Sequence, residues 1–226
     1  MNVLVIAAHP DDEVLGCGGT IARLSQEGHS VYIAILGEGL TSRYPQRDQA
    51  SSDLLETLHA RSHQVANLLG AKELLMYNLA DNRFDTVPLL DIVKIVEELI
   101  EKLMPHSIYT QHGGDLNVDH TQVYRATLTA TRPMAGRPVK AVYAYEVASS
   151  TEWAFQKFSP VFQPNVFVDI NNTLSLKIQA MQLYESEARL FPHPRSPQAL
   201  QAIAQRWGSV VGLQAAEAFE LIREIR

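Results

Sequence analysis

Two short stretches hold most of the side chains that could do chemistry. The first is His9-Pro10-Asp11-Asp12-Glu13, four ionisable groups within five residues, directly after the apolar run at residues 3–8. The second is residues 111–120, Gln-His-Gly-Gly-Asp-Leu-Asn-Val-Asp-His, ending on Asp119 and His120. His9 and Asp12 are three apart at a strand-to-helix turn, so both can face one point above a sheet. His120 follows a later strand, and a parallel sheet gathers such loops at the carboxyl ends of its strands. Two imidazoles and one carboxylate, His9, His120 and Asp12, with a fourth position open to water, are the usual donors of a catalytic zinc site; another divalent transition metal would also suit them. A cation held there activates water near neutral pH and polarises a carbonyl. Asp11, beside a ligand but not needed as one, is the natural general base, and it could pass the proton on to a leaving amine. Asp119 suits a hydrogen bond to a histidine ring that fixes its tautomer. A helix N-cap would explain one of the acids and would leave His9 and the other two without a reason.

The elements that must position these groups alternate. Residues 3–8 and 31–36 read as short buried strands, and residues 16–27 between them as a helix closed by Gly28 in the position after its cap. Strand, helix and strand in so few residues make a βαβ unit and start a parallel sheet. Residues 37–49 form a polar loop, long for such a link, which favours a binding loop; Glu38 stands at its head. Residues 51–69 follow with helical periodicity and carry Arg61 as well as His59 and His63. The latter pair has metal-ligand spacing, but Ala60 stands where a zincin needs Glu, so both are read as surface histidines. A strand at 73–77 runs into the polar turn containing Arg83. A helix at 88–104 has a continuous apolar stripe and no chemistry. Strands are expected at 107–110, 139–146 and 166–170, and helices at 121–130, 172–188, 197–207 and 215–225. Between the helices at 172–188 and 197–207, three prolines bracket His193 and Arg195. This order predicts an α/β fold, a Rossmann-like three-layer sandwich with a mostly parallel sheet, as a single domain over residues 1–226.

With 46% hydrophobic and 19% charged residues, the 226-residue chain can bury one sizeable core. A formal net charge of -6 and no basic stripe argue against a nucleic-acid partner. Cys17 is the only cysteine, which excludes an intrachain disulfide framework and a thiolate metal site. No apolar run is long enough to span a bilayer, and the opening run is too short for a signal peptide, so a cytoplasmic location is expected.

Ala8-His9-Pro10-Asp11-Asp12-Glu13, the glycines after it and the later Asp119-His120 resemble the LmbE-like (PIG-L) de-N-acetylases. The likeness extends through most of the chain, including the arginine-bearing helix before Leu69-Gly70 and, more weakly, residues 212–219. It implies a zinc enzyme with a Rossmann-like fold that removes acetyl groups from N-acetylglucosamine-type sugars. His9, Asp12 and His120 are then the metal ligands and Asp11 the base, and a homo-oligomer is plausible. The chain departs from the family at Asn117, where many members carry a histidine that helps stabilise the oxyanion. An asparagine amide can donate to an oxyanion, which is worth about 3 kcal/mol, but it cannot serve as a general acid. His193 is the preferred substitute for that acid, with His112 behind it. Arg61, Arg83, Glu38 and Arg195 are candidate substrate contacts, the last next to His193 and suited to a substrate anion.

A different class, a non-hydrolytic nucleotide- or sugar-binding Rossmann-like module, would need G-x-G-x-x-G directly after the first strand. Gly16-Cys17-Gly18-Gly19 comes too late, behind acids that would repel a pyrophosphate. An inactive member of the same family would bind metal and cleave no amide.

Overall fold

The computed structural model describes residues 1–226. Five strands form the parallel part of one sheet: β1 (Asn2–Ala7), β2 (Ser30–Gly37), β3 (Glu73–Leu79), β4 (Ser107–Gln111) and β5 (Ala141–Tyr145). Two more strands, β6 (Val166–Asp169) and β7 (Ala216–Glu224), extend it antiparallel, giving the order β3-β2-β1-β4-β5-β7-β6. The helices are α1 (Asp12–Gln26), α2 (Ser52–Leu68), α3 (Leu89–Leu103), α4 (Val118–Ala130), α5 (Leu174–Leu183) and α6 (Pro197–Val211). Alternation along β1 divides the core: Val3, Val5 and Ala7 pack with α1, α2 and α5, while Leu4, Ile6 and Ala8 pack with α3 and α4. The three-layer α/β sandwich is therefore as expected. Buried on both faces, the strands read as continuous apolar runs.

The α3 stripe expected from periodicity is in place, with Ile92, Val93, Val96, Leu99, Ile100 and Leu103 all buried. Each contributes about 2 kcal/mol by leaving water. Close approach explains two glycines after the opening motif. A Cβ on Gly16 would collide with the Tyr145 ring, and one on Gly19 would come within 2.8 Å of Ile170. The Tyr145 hydroxyl donates to the Ile6 carbonyl at 2.7 Å, tying β5 to β1 under the site.

One element differs in type from the sequence reading, and several differ in their bounds. The helix expected at 215–225 is strand β7. Its Ala, Glu and Leu content favours a helix, but pairing on both sides with β5 and β6 overrides propensity, and burial on both faces removes the alternation that marks a strand. The helix expected at 172–188 stops at Leu183, and residues 184–196 turn back toward the site. Helices α1 and α4 begin earlier than expected, at Asp12 and Val118, so Asp12, Asp119 and His120 lie in first helical turns.

Candidate active site

β1 neighbours β2 on one side and β4 on the other, and the connections from these central strands leave in opposite directions. That switch point opens a crevice beyond the carboxyl ends of β1 and β4. His9 leaves β1 and residues 112–120 leave β4, so the two sequence clusters meet there. A cleft of about 500 Å³ lies above them, walled by His9, Asp11, His120, Asn117, Trp153 and Arg195 among others.

Asp12 is the hub. Its Oδ2 accepts from the His9 backbone N–H at 2.9 Å and from Gln111 Nε2 at 3.1 Å; it lies 3.4 Å from His9 Nδ1 and 3.2 Å from His120 Nε2. The donor atoms of His9, Asp12 and His120 all fall within 4.8 Å of one another. His120 is 1% exposed, and its two ring nitrogens lie 3.2 Å from Asp12 and 3.2 Å from Asp115 without hydrogen-bond geometry to either. Buried polar atoms are ordinarily satisfied, so an orphaned imidazole facing a carboxylate and a second imidazole fits a cation. The electrostatics agree. Burial pulls His120 down, but Asp12 and Asp115 outweigh it and push the ring up to about 9. His9, also lowered by burial, is held well above the ordinary imidazole value by Asp119, Asp12 and Asp81. Burial pushes Asp12 up, and the two imidazoles overcome that and take it well below the carboxylate range.

Both rings are held from behind. His9 Nε2 lies 2.9 Å from Asp119 Oδ2 and 3.3 Å from Asp81 Oδ1. Asp119 also accepts from the backbone N–H groups of Asn82 at 2.7 Å and Phe84 at 2.9 Å, which fixes its carboxylate. His9, Asp81 and Asp119 also lie close enough to form a second possible cation group. Asp119 already accepts from two backbone donors, so the arrangement suits orientation: a proton on Nε2 toward Asp119 leaves Nδ1 as the ligand atom beside Asp12. His120 Nδ1 faces Asp115 Oδ2 at 3.2 Å. Asp115 accepts from Ser150 Oγ, from Thr151 Oγ1 at 2.7 Å and from the Asn117 N–H at 3.0 Å.

Asp11 sits at the N-cap of α1 with φ 108°, in the left-handed region, and its side chain makes no cap hydrogen bond. Glu13 takes over the turn, its Oε2 accepting from the Asp11 N–H at 3.0 Å while Oε1 accepts from the Tyr184 hydroxyl at 2.6 Å. The Asp11 carboxylate is thereby turned to the cleft wall, where Oδ2 accepts from an Arg195 NH at 2.6 Å. Burial pushes Asp11 well up, with Arg195 opposing. Strained backbone of this kind gathers at functional sites.

Asn117 caps α4, its Oδ1 accepting from the Asp119 N–H at 2.9 Å, and it lines the cleft. Arg195 reaches the cleft; His193 does not line it. The His193 Nδ1 accepts from the Arg195 N–H at 3.2 Å, and its ring meets Trp153 edge-on. Burial and the neighbouring Arg195 and Arg189 pull this imidazole below its usual value. Glu38 lies outside the cleft wall, in a two-point pair with Arg47 at 2.9 and 2.7 Å that braces its own loop. Arg61 pairs with Glu185 on the outer surface at 2.9 Å, and Arg83 is exposed beyond Asn82. His112 is buried behind the site, its Nε2 2.8 Å from the Pro160 carbonyl. Sequence reasoning assigned no role to Gln111, Asp115 or Glu187. Asp115 had a signal, a carboxylate five residues before His120. Glu187 had none: Arg195 lies eight residues on in the same loop, but Arg43, its main partner, comes from a loop 144 residues away.

A model of the PIG-L family, described as GlcNAc-PI de-N-acetylase, matches residues 4–131. The chain belongs to the PIG-L family. Among its relatives is the Escherichia coli K12 protein described as uncharacterized deacetylase YaiS, 28% identical over 82% of this chain and 91% of its own. The diacetylchitobiose deacetylase of Thermococcus kodakarensis is 25% identical over 98% and 83%. The crystal structure of GalB, the 4-carboxy-2-hydroxymuconate hydratase of Pseudomonas putida KT2440, superposes with a TM-score of 0.76 over 100% of this chain and 97% of that one, at 18% identity. The PIG-L fold thus also carries a hydratase, and fold alone does not select the reaction. The amide-hydrolase class expected from the sequence is that of the deacetylase relatives. No helix is long and apolar enough to cross a membrane.

Proposed function

We propose that this PIG-L chain is a zinc-dependent deacetylase that hydrolyses the N-acetyl group of an N-acetylglucosamine-type sugar or conjugate. The observation that carries the reading is the convergence of His9 Nδ1 and His120 Nε2 on Asp12 Oδ2, with Asp11 beside them on the cleft wall. His9, Asp12 and His120 would hold the cation. When bound, it supplies Lewis-acid polarisation of the scissile carbonyl and activation of water. Asp11 Oδ1 takes the proton of the attacking water while Arg195 holds Oδ2. Water adds to the carbonyl carbon, the C–N bond breaks, and Asp11 returns the proton to the amine as acetate forms. Asn117, anchored through Oδ1, has its Nδ2 free to donate to the developing oxyanion. Asp119 and Asp81 keep His9 in register. His193, outside the cleft wall and pulled below its usual value by burial and the nearby arginines, suits packing against Trp153 better than acid catalysis.

The same reading makes the protein a cytoplasmic homo-oligomer with a small-molecule partner and no nucleic-acid partner, in keeping with a net charge of -6. Acetate release across a panel of N-acetyl sugars, with metal content measured by plasma emission, tests it. About one zinc per chain and release that a chelator abolishes are expected. Tight metal without release from any N-acetyl sugar would refute hydrolysis, and absence of metal would favour a binding module.

A further inference from the structure

The cleft contains two arginines, and one buried carboxylate occupies both. Glu187, 6% exposed, comes from the loop between α5 and α6. An Arg43 NH2 group donates to both of its oxygens, at 2.8 and 2.6 Å, and an Arg195 NH1 group donates to Oε2 at 3.2 Å. Arg195 is further committed to Asp11 at 2.6 Å and, through Nε, to Ser149 Oγ at 2.8 Å. The charged side chains lining the cleft, apart from the two histidines, are Asp11, Asp81 and Glu187 against Arg43 and Arg195, so carboxylates outnumber guanidiniums. Asp12, Asp115 and Asp119 add buried negative charge just beneath. The other arginines that could meet an anion, Arg61 and Arg83, lie outside the wall. What the cleft presents beside them is apolar or neutral: Trp153, 40% exposed, with Leu116, Val118, Ser42 and Asn82.

We propose that Glu187 is a specificity-determining residue that, together with Asp11, offsets the charge of Arg43 and Arg195, so that the cleft selects uncharged glycosides and rejects phosphorylated or carboxylated sugar conjugates. The inference rests on the deacetylase reading and adds the substrate's charge to it. Both guanidiniums keep N–H groups beyond these contacts, but their charge is already met by Glu187 and Asp11, so an incoming anion must compete with two carboxylates for them or displace Glu187. A neutral sugar displaces nothing: its hydroxyls meet Ser42 and Asn82, and its C–H face can lie on Trp153. Like charges facing an anion suppress the wrong ligand more than they strengthen the right one.

The test compares methyl N-acetylglucosaminide with N-acetylglucosamine 1-phosphate on the zinc-loaded enzyme, by kcat/KM for acetate release and by calorimetric affinity. Wild type should prefer the neutral compound by about tenfold or more. Glu187→Gln should move the ratio toward the phosphate by about tenfold, while Glu185→Gln, which frees Arg61 on the outer surface, should leave the ratio as it is. Equal or better use of the phosphate by wild type would overturn the proposal, as would a Glu187→Gln ratio no different from wild type. The wild-type comparison needs no variant, so it decides even where a substitution impairs folding. Release from neither compound would defeat the deacetylase reading alone; the affinities then judge the cleft, tighter neutral binding supporting the inference and tighter phosphate binding, or none to either, overturning it.

Discussion

The first part of the chain, β1 to α4, and the part after it build the site in different ways. In the first, every proposed metal-binding and proton-moving side chain comes from two contiguous stretches at the ends of β1 and β4, and the family match at residues 4–131 covers both. In the second, β5 to β7, the contributors are scattered: Ser150 and Thr151 brace Asp115, Arg195 holds Asp11, Glu187 bridges two arginines and Trp153 walls the cleft. The difference teaches that the proposed chemistry rests on local geometry at a switch point, whereas the proposed selectivity also needs Glu187, Arg195 and Trp153 from loops folded back from afar. Such loops can change without disturbing the centre.

The comparison breaks most visibly at Asp12. Asp12→Ala removes the hub of both histidines, and we expect loss of bound metal and a fall in kcat of about a thousandfold or more, measured by metal content and acetate release. Asn117→Ala should lower kcat about a hundredfold with little change in KM if its amide meets the oxyanion; a KM effect alone would assign it to substrate binding. Asp119→Asn, which weakens the hold on His9 Nε2, should reduce metal affinity roughly 10–100-fold in a competition titration with a chelator. The smallest effect on chemistry is expected where the two parts are joined structurally. Lys177 Nζ on α5 donates to the Leu15 carbonyl at 2.8 Å and to Glu217 of β7 at 2.6 Å, and Glu217 accepts from the N–H groups of Gly19 and Thr20 in the middle of α1. Lys177→Met strands a buried carboxylate and should cost about 3 kcal/mol in denaturant unfolding, with turnover per folded molecule close to wild type.

This division also decides what was legible in the sequence. His9, Asp12 and His120 could be paired from residue type and strand order because a parallel sheet leaves its loops few places to go. The apolar stripe of α3 and the βαβ start were legible for the same kind of reason, a period that burial imposes. β7 was not: Ala-Glu-Ala-Phe-Glu-Leu-Ile-Arg has helical propensity, and only its two flanking strands make it extended. Asp119 was read as a histidine's support, but its partner, His9, lies 110 residues away and no spacing rule reaches it. Glu38 and Arg61 looked free in sequence, whereas in the fold each is paired with a partner outside the cleft, Arg47 and Glu185. Long polar side chains find partners by tertiary proximity, which is the part of the site a sequence does not display.

The central claim is that Asp11, held off its capping duty in a left-handed turn and gripped by Arg195, moves the proton. Asp11→Asn is the direct test, because asparagine tolerates a positive φ and keeps a similar shape. The account predicts a protein that still holds about one zinc per chain and releases acetate at least about a hundredfold more slowly than wild type. Release within a few-fold of wild type, at full metal content, would contradict it.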